Sequence, residues 1–402
     1  MATTIDINNL PKDYLDSRMI LNLGPSHPAT HGTLRFTLEL DGETIIKCTT
    51  EIGYLHRAFE KMAEKGTYTQ VIPYTDRLNY CSAMINNVGF ALAVEKLLDI
   101  DVTPRCKAIR IIVNELSRIM DHLVCIGTNA VDIGALTNFW YFFRAREDIY
   151  DLIEQLCGSR LTTTYTRIGG LSGDLPEGWI ERAKSVLPKI DEALSNVDKL
   201  LTNNRIFIDR MKGVGVISRE DAINHSFTGP CLRATGVAYD VRRAHPYLGY
   251  EHLEFDIPTH TDGDTYARYI VRMEEMRQSR RILTQILDRV PEGPIMVDRP
   301  DVVLPDKSKT YNQMEALIRQ FKIIMEGIKP PKSEAYSFTE GGNGELGFYI
   351  VADGTGHPYR VRVRPPCFPI MGAFSTMIQG QMIPDLIATL GSLNIIAGEL
   401  DR

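Results

Sequence analysis

Apolar and polar residues alternate from Thr33 to Leu40. Leu34, Phe36, Leu38 and Leu40 fall on one face, and Thr33, Arg35, Thr37 and Glu39 on the other. A period of two is that of a strand with one buried face. Asp41-Gly42 is a strong hairpin signal, so residues 43–50 are expected to return as its partner. Upstream, residues 19–25 read as a short strand entering the loop PSHPATHG (25–32), after a polar arm over residues 1–18.

From residue 51 the period becomes helical. Ile52, Leu55, Phe59 and Met62 recur at steps of three and four, which predicts a helix over 51–65. A second is expected over 75–98, and Pro104 opens a third. The third carries Ile109, Ile112, Val113, Leu116, Ile119, Met120 and Leu123 as one stripe and runs towards Asp132-Ile133-Gly134. Asn138 to Gly158 predicts a helix whose run Phe139–Phe143 is apolar all round and therefore buried. Longer helices are expected over 177–202 and 263–290, with the many arginines of 268–289 solvated or paired at the surface.

The last third is mixed. Residues 311–328 read as helix, and Phe348–Val351 and Tyr359–Val363 as a hairpin around Asp353-Gly354-Thr355-Gly356. Residues 376–396 are moderately apolar. The expected fold is α+β: a mainly helical bundle with small antiparallel sheets near both sequence ends. It is expected to form one interwoven unit over 1–402, with a sheet in 19–50, a helical core in 51–290 and a mixed region in 291–402.

Composition narrows the function. The 402 residues are 44% hydrophobic and 24% charged, ordinary for a globular protein. The net charge of -6 offers no basic field for a polyanion, so nucleic acid is not an expected partner. Cys48, Cys81, Cys106, Cys125, Cys157, Cys231 and Cys367 are scattered and never form a C-x-x-C pair, which fits reduced thiols better than a disulfide framework or zinc site. No basic region followed by an apolar core opens the chain, and no apolar run approaches the roughly 18 residues of a membrane span. Work at a membrane would need another chain as anchor.

Few residues point to chemistry by themselves. His27 and His31 are four apart, but Pro25, Pro28 and Gly32 place them on a loop rather than on a metal-binding helix face. Such a loop can still present a group that titrates near neutrality. Tyr80 follows Asp76-Arg77-Leu78-Asn79, and a core tyrosine with one hydroxyl partner is the simpler reading. Cys81 has no assigned base, so an inert thiol is favoured. Arg57 on an apolar segment would snorkel or pair with an acid. Asp132, flanked by apolar residues, is either paired or poised. His225, His245 and His252 lack ligand-like spacing, and no phosphate-binding glycine loop occurs.

The string LGPSHPATHG (23–32) resembles the quinone-site loop of the D subunit of respiratory complex I, the proton-pumping NADH:quinone oxidoreductase. The resemblance continues through GYLHR (53–57), DRLNY (76–80), VDIGA (131–135), TNNRI (202–206), RMEEMRQS (272–279), ADGTGHPYR (352–360) and the terminal GELDR. It covers nearly the whole chain in order. That family is similar to [NiFe] hydrogenase large subunits, whose metal is held by two C-x-x-C pairs. These would fall on Asn79 and Ser82, and on Pro384 and Ile387. None is Cys, and soft nickel needs thiolates, so no metal is expected in this chain.

The resemblance implies a quinone, ubiquinone or menaquinone, bound between this chain and an iron–sulfur (B-type) subunit that holds a 4Fe-4S cluster. A C-type peripheral-arm subunit and an H-type membrane subunit are the other implied partners. The implied location is the peripheral arm, on the cytoplasmic side of the cell membrane. His31 and Tyr80 would face the quinone carbonyls, Asp132 would pair with His31, Arg57 would lie near the neighbouring cluster, and His27 would support the loop. In many members R-x-H-x-x-Y-x-R-x-G-G carries a histidine near that cluster, where this chain has Thr162. A residue without charge there is expected to give a lower, less pH-dependent cluster potential, suited to a naphthoquinone. Asn129 and Asn394 also depart from the residues usual in the family, His and Asp. A ferredoxin-fed relative of the complex and a non-catalytic scaffold are the competing readings.

Overall fold

The protein is described from a computed structural model covering residues 18–402, so the expected arm lies outside the described residues except for Arg18. The alternating segment folds as foreseen. β1 (Met19–Leu23), β2 (Arg35–Asp41) and β3 (Thr44–Glu51) form an antiparallel sheet in that order. Leu38 lies opposite Leu21 on one side and Cys48 on the other. Leu34, Phe36, Leu38 and Leu40 are almost fully buried, and the Phe36 ring packs 5.0 Å from that of Phe374 near the other end of the chain.

The helical region begins later than expected. Residues 52–58 are irregular, and α1 is only Phe59–Lys65. Gly53 and Ala58 have positive φ, which breaks the helix that the apolar spacing suggested. α2 (Tyr68–Thr75) was not foreseen. It starts on a capping box, with Thr67 Oγ1 accepting from Gln70 N and Gln70 Oε1 from Thr67 N. The expected helix 75–98 divides: a single 3-10 turn, Tyr80–Ser82, precedes α3 (Ala83–Leu97).

α4 (Pro104–Asp132) is the central element, and most of it is buried, with its last two residues, Val131 and Asp132, exposed. α5 (Leu136–Cys157) packs on it, ending at Gly158 in the left-handed conformation. The expectation that Phe139–Phe143 is buried fails. Phe142 is inside, whereas Trp140 is 64% exposed and Tyr141 half-exposed. A run of five aromatics cannot all face one stripe at 3.6 residues per turn. The strand pair β4 (Thr166–Arg167) and β5 (Gly170–Leu171) precedes α6 (Trp179–Val197), which continues through residues 198–202 as a wider turn.

α7 (Thr265–Leu287) packs along α4 and overturns a second expectation, because Arg268 and Arg272 are fully buried. Arg268 donates to Ser392 Oγ and to the carbonyls of Gly215 and Gly263, and Arg272 to Ser392 O at 2.6 Å. Nearby, Arg233 bridges Glu275 and Glu340, and Arg242 bridges Glu115 and Asp240, all buried. Against the opposing effect of burial, Arg233 and then the hydrogen bond with His122 hold the Glu275 carboxyl down at about 2. Charge spacing reveals pairing but not depth, so the sequence did not show these as core ion pairs.

α8 is Met314–Glu326. The second sheet has three strands rather than two: β6 (Ser333–Glu340), β7 (Glu345–Ala352) and β8 (Arg360–Arg364), antiparallel in that order. It packs on α3, where the Phe90 and Phe348 rings meet edge to face at 5.7 Å. α9 (Ile383–Leu393) lies against α4, and a last helical turn covers Ala397–Asp401. The expected α+β class, mainly helical with antiparallel sheets towards both ends, is what the chain forms. No helix among the described residues is long and apolar enough to cross a membrane.

Candidate functional site

The loop of residues 24–34 folds into one tight turn. His27 is its brace: Nδ1 accepts from Ala29 N at 3.2 Å, and its carbonyl accepts from Thr30 Oγ1, Thr30 N and Gly32 N. Gly24 has positive φ, and a Cβ there would strike Leu34 O and the Thr30 side chain, so the entry to the turn requires glycine. His31, exposed and at φ 53°, follows this turn. Its Nδ1 lies 2.8 Å from Ile395 O. A carbonyl can only accept, so Nδ1 carries the proton. Nε2 is then an acceptor in the neutral ring and a donor only in the imidazolium.

Asp132 ends α4 and lies close enough to His31 for their charges to interact. Burial raises its carboxyl above the usual value, and His31 opposes that rise. The two side chains are not in ion-pair contact. The expected pairing with Asp132 is therefore not formed, and the His31 ring is oriented by the Ile395 carbonyl.

Tyr80 sits on the 3-10 turn between α2 and α3. Asn79 caps that turn by accepting from Cys81 N at 3.1 Å. The Tyr80 side chain is 40% exposed, and its hydroxyl has no hydrogen-bond partner among the described residues. The core tyrosine with a satisfied hydroxyl is therefore not what the chain builds. Desolvation, and then the neighbouring Cys81, Asp121 and Cys367, push its phenol up to about 12, so it is a neutral donor at physiological pH. Cys81 itself is buried and its thiol is pushed up by desolvation, which leaves it inert.

Arg57 is exposed and lines a cleft of about 260 Å³ with Arg77, Arg402, Leu55, Pro73 and Tyr74. Its loop is latched by the chain terminus. The Asp401 carboxylate accepts from Gly53 N at 2.9 Å and Leu55 N at 2.7 Å, and Asp401 O lies 2.7 Å from His56 Nδ1. Thr162 is half-buried on the segment leading to β4, where its carbonyl accepts from Ser159 Oγ. That segment is held from both ends. Asp76, fully buried, accepts from Thr164 N and Oγ1, and Glu95 accepts from Gly169 N at 2.8 Å.

Asn79 and Ser82 stand where the first hydrogenase cysteine pair would fall, and both donate to Asp121. The second pair was misplaced on the sequence. Pro384 and Ile387 lie at the start of α9, beside the β2–β3 turn, where Ile383 N bonds Glu43 O. The segment facing 79–82 is instead 394–399: Gly398 rests on the carbonyls of Arg77 and Leu78, and Asn394 donates to Asp121. Ile396 and Glu399 have the same spacing of three, and neither is a thiolate. Glu399 is buried and accepts from Cys367 N, and burial pushes its carboxyl up to about 7. Sequence reasoning passed over Asp121 and Glu399, and noted Asn394 only as a departure from the family residue without giving it a role. The available signal was an Asp-His pair interrupting the apolar stripe at 121–122.

The turn carrying the Tyr80 phenol is thus tied through Asp121 to Asn394, and the His31 imidazole is bonded to the next residue, Ile395. A molecule that takes up protons suits the arrangement. The family described as respiratory-chain NADH dehydrogenase, 49 Kd subunit, matches residues 132–402. The fused C/D subunit of the NADH-quinone oxidoreductase of Bdellovibrio bacteriovorus is 52% identical over 393 residues, covering 98% of this chain and 70% of that protein. The first D-type subunit of the same enzyme in Sorangium cellulosum is 52% identical over 99% of this chain and 98% of its own length. The D-type subunit of Myxococcus xanthus is 51% identical over 96% of this chain and 93% of its own. The chain belongs to the family of the 49 kDa (D) subunit of respiratory-chain NADH dehydrogenase, which is related to the hydrogenase large subunit.

Proposed function

We propose that this chain, with an adjacent iron–sulfur subunit, forms the site at which an NADH:quinone oxidoreductase reduces quinone, a step coupled to proton translocation. The observation that carries this reading is the pair of side-chain groups left without a hydrogen-bond partner among the described residues, the Tyr80 hydroxyl and His31 Nε2. Reduction of a quinone to quinol takes up two electrons and two protons. The electrons would come from the neighbour's 4Fe-4S cluster. Negative charge builds on the two quinone oxygens, and the phenol and the imidazolium each stabilise it and can release a proton. Asp132 would stand as the counter-charge to an imidazolium formed at His31. Arg57, with no acid partner among the described residues, would place its charge near the cluster.

The fused C/D relative supports a C-type subunit as neighbour. The exposed Val131, Leu136 and Trp140, which flank or follow Asp132 in the chain, suit a face covered by another subunit such as the H-type membrane chain. The peripheral arm on the cytoplasmic side is the location this assembly gives. The relatives' names favour NADH over ferredoxin as electron source, and the His31, Tyr80 and Asp132 set is more than a scaffold needs.

His31→Ala in the assembled complex should lower quinone reductase turnover by about tenfold or more. NADH oxidation by ferricyanide, which bypasses the site, should be unchanged. Equal turnover with quinone would remove His31 from the mechanism. The neighbouring cluster should show a midpoint potential that varies little with pH, because Thr162 offers no titrating group. Potentiometric titration checks this, and a steep pH slope contradicts it.

A further inference from the structure

One buried carboxylate joins the two donors, although they lie on separate stretches of chain. Asp121, in the middle of α4, is fully buried. Its Oδ2 accepts from Asn79 Nδ2 at 2.8 Å and from Ser82 Oγ at 3.0 Å, the two residues that bracket Tyr80 and Cys81. Its Oδ1 accepts from Asn394 Nδ2 at 2.7 Å. The next residue is Ile395, whose carbonyl fixes His31 Nδ1. The seat is fitted to the group: a Cβ on Gly342 would come within 2.6 Å of Asp121 Cγ. No cation lies in ion-pair contact with Asp121 among the described residues. Three neutral donors hold its charge, and a buried carboxylate held in this way fixes their geometry strongly.

We propose that Asp121 is the positioning residue that sets Tyr80 and His31 relative to one another for the quinone headgroup. This rests on the quinone-site reading. Asp121 touches no substrate. Through Asn79 and Ser82 it fixes the turn that carries Tyr80, and through Asn394 and Ile395 it fixes the ring of His31. Its charge also faces the Tyr80 phenol and opposes loss of the phenolic proton.

The test uses the assembled complex with Asp121→Asn, with Tyr80→Phe, with both, and with the exchange Asn79→Asp/Asp121→Asn. The exchange reverses the hydrogen bond between positions 79 and 121, and Ser82 Oγ, which gave its proton to Asp121 Oδ2, becomes an acceptor from the new amide. The amide at 121 keeps its oxygen for Asn394 and turns its N–H to the new carboxylate at 79, which still caps Cys81 N. Asp121→Asn should lower kcat for quinone by about tenfold, the worth of one hydrogen bond to a charged group, with ferricyanide reduction unchanged. Adding it to Tyr80→Phe should cost little more, since both act on one function. The exchange should recover most of the lost turnover.

Normal quinone turnover in Asp121→Asn overturns the positioning role, as do losses that multiply with those of Tyr80→Phe. If Asp121→Asn does not assemble, the exchange decides alone: turnover supports the role, and failure to assemble or to turn over overturns it. Tyr80→Phe with normal turnover overturns the quinone-site reading itself. Tyr80→Phe impaired beside a normal Asp121→Asn overturns only the inference.

Discussion

Tyr80→Phe is expected to leave the complex assembled and to lower quinone reductase turnover by about a hundredfold or more, the usual worth of a positioned general acid. The substitution removes one oxygen. That oxygen bonds to nothing among the described residues, so no fold contact is lost, and the ring keeps its place on the turn fixed by Asn79 and Ser82. What disappears is a donor whose proton burial and the nearby Asp121 hold firmly until quinone charge draws it off. NADH:ferricyanide activity should stay normal, which locates the defect at the quinone end. A fall in KM-normalised turnover with unchanged cluster reduction by NADH is the expected signature. Turnover near the parent value with native quinone would show that another group supplies the proton.

Glu95→Ala should damage the fold instead. Glu95 and Arg110 form a buried fork, with Nη1 and Nη2 of the arginine at 2.8 and 2.6 Å from the two carboxylate oxygens. Arg110 also donates to Arg167 O and Gly170 O, while Glu95 accepts from Gly169 N. The pair therefore ties α3 and α4 to the β4–β5 turn and to the segment carrying Thr162. Removing the acid strands a guanidinium that burial forbids and that cannot deprotonate at working pH. A loss of about 3–5 kcal/mol is expected for such a broken buried pair. Thermal inactivation of the complex at a markedly lower temperature, or poor assembly on a native gel, would be the readout. An unchanged inactivation temperature would mean that solvent reaches Arg110.

The sequence was most legible where one face meets the core. The alternation of Leu34, Phe36, Leu38 and Leu40 placed β2 correctly, and the stripe from Ile109 to Leu123 placed α4. It failed where long-range contacts decide. Ile52 and Leu55 have helical spacing, yet Asp401, almost 350 positions away, holds Gly53 and Leu55 in an irregular loop. Arg268 and Arg272 look like surface cations, and only the carbonyls at Gly215, Gly263 and Ser392 explain why they are inside. In the site, His31, Tyr80 and Asp132 could be named from motifs, but the residue that links the first two could not. Asp121 gains its meaning from Asn79, Ser82 and Asn394, which the fold brings to it from distant parts of the chain.

The most direct test of the account uses a quinone analogue with a photoreactive headgroup, bound to the intact complex and crosslinked with and without excess native quinone. Labelling that native quinone competes away is predicted on the 27–31 loop and the 79–82 turn, and on the adjacent iron–sulfur subunit. Competed labelling confined to segments remote from His31 and Tyr80 would contradict it.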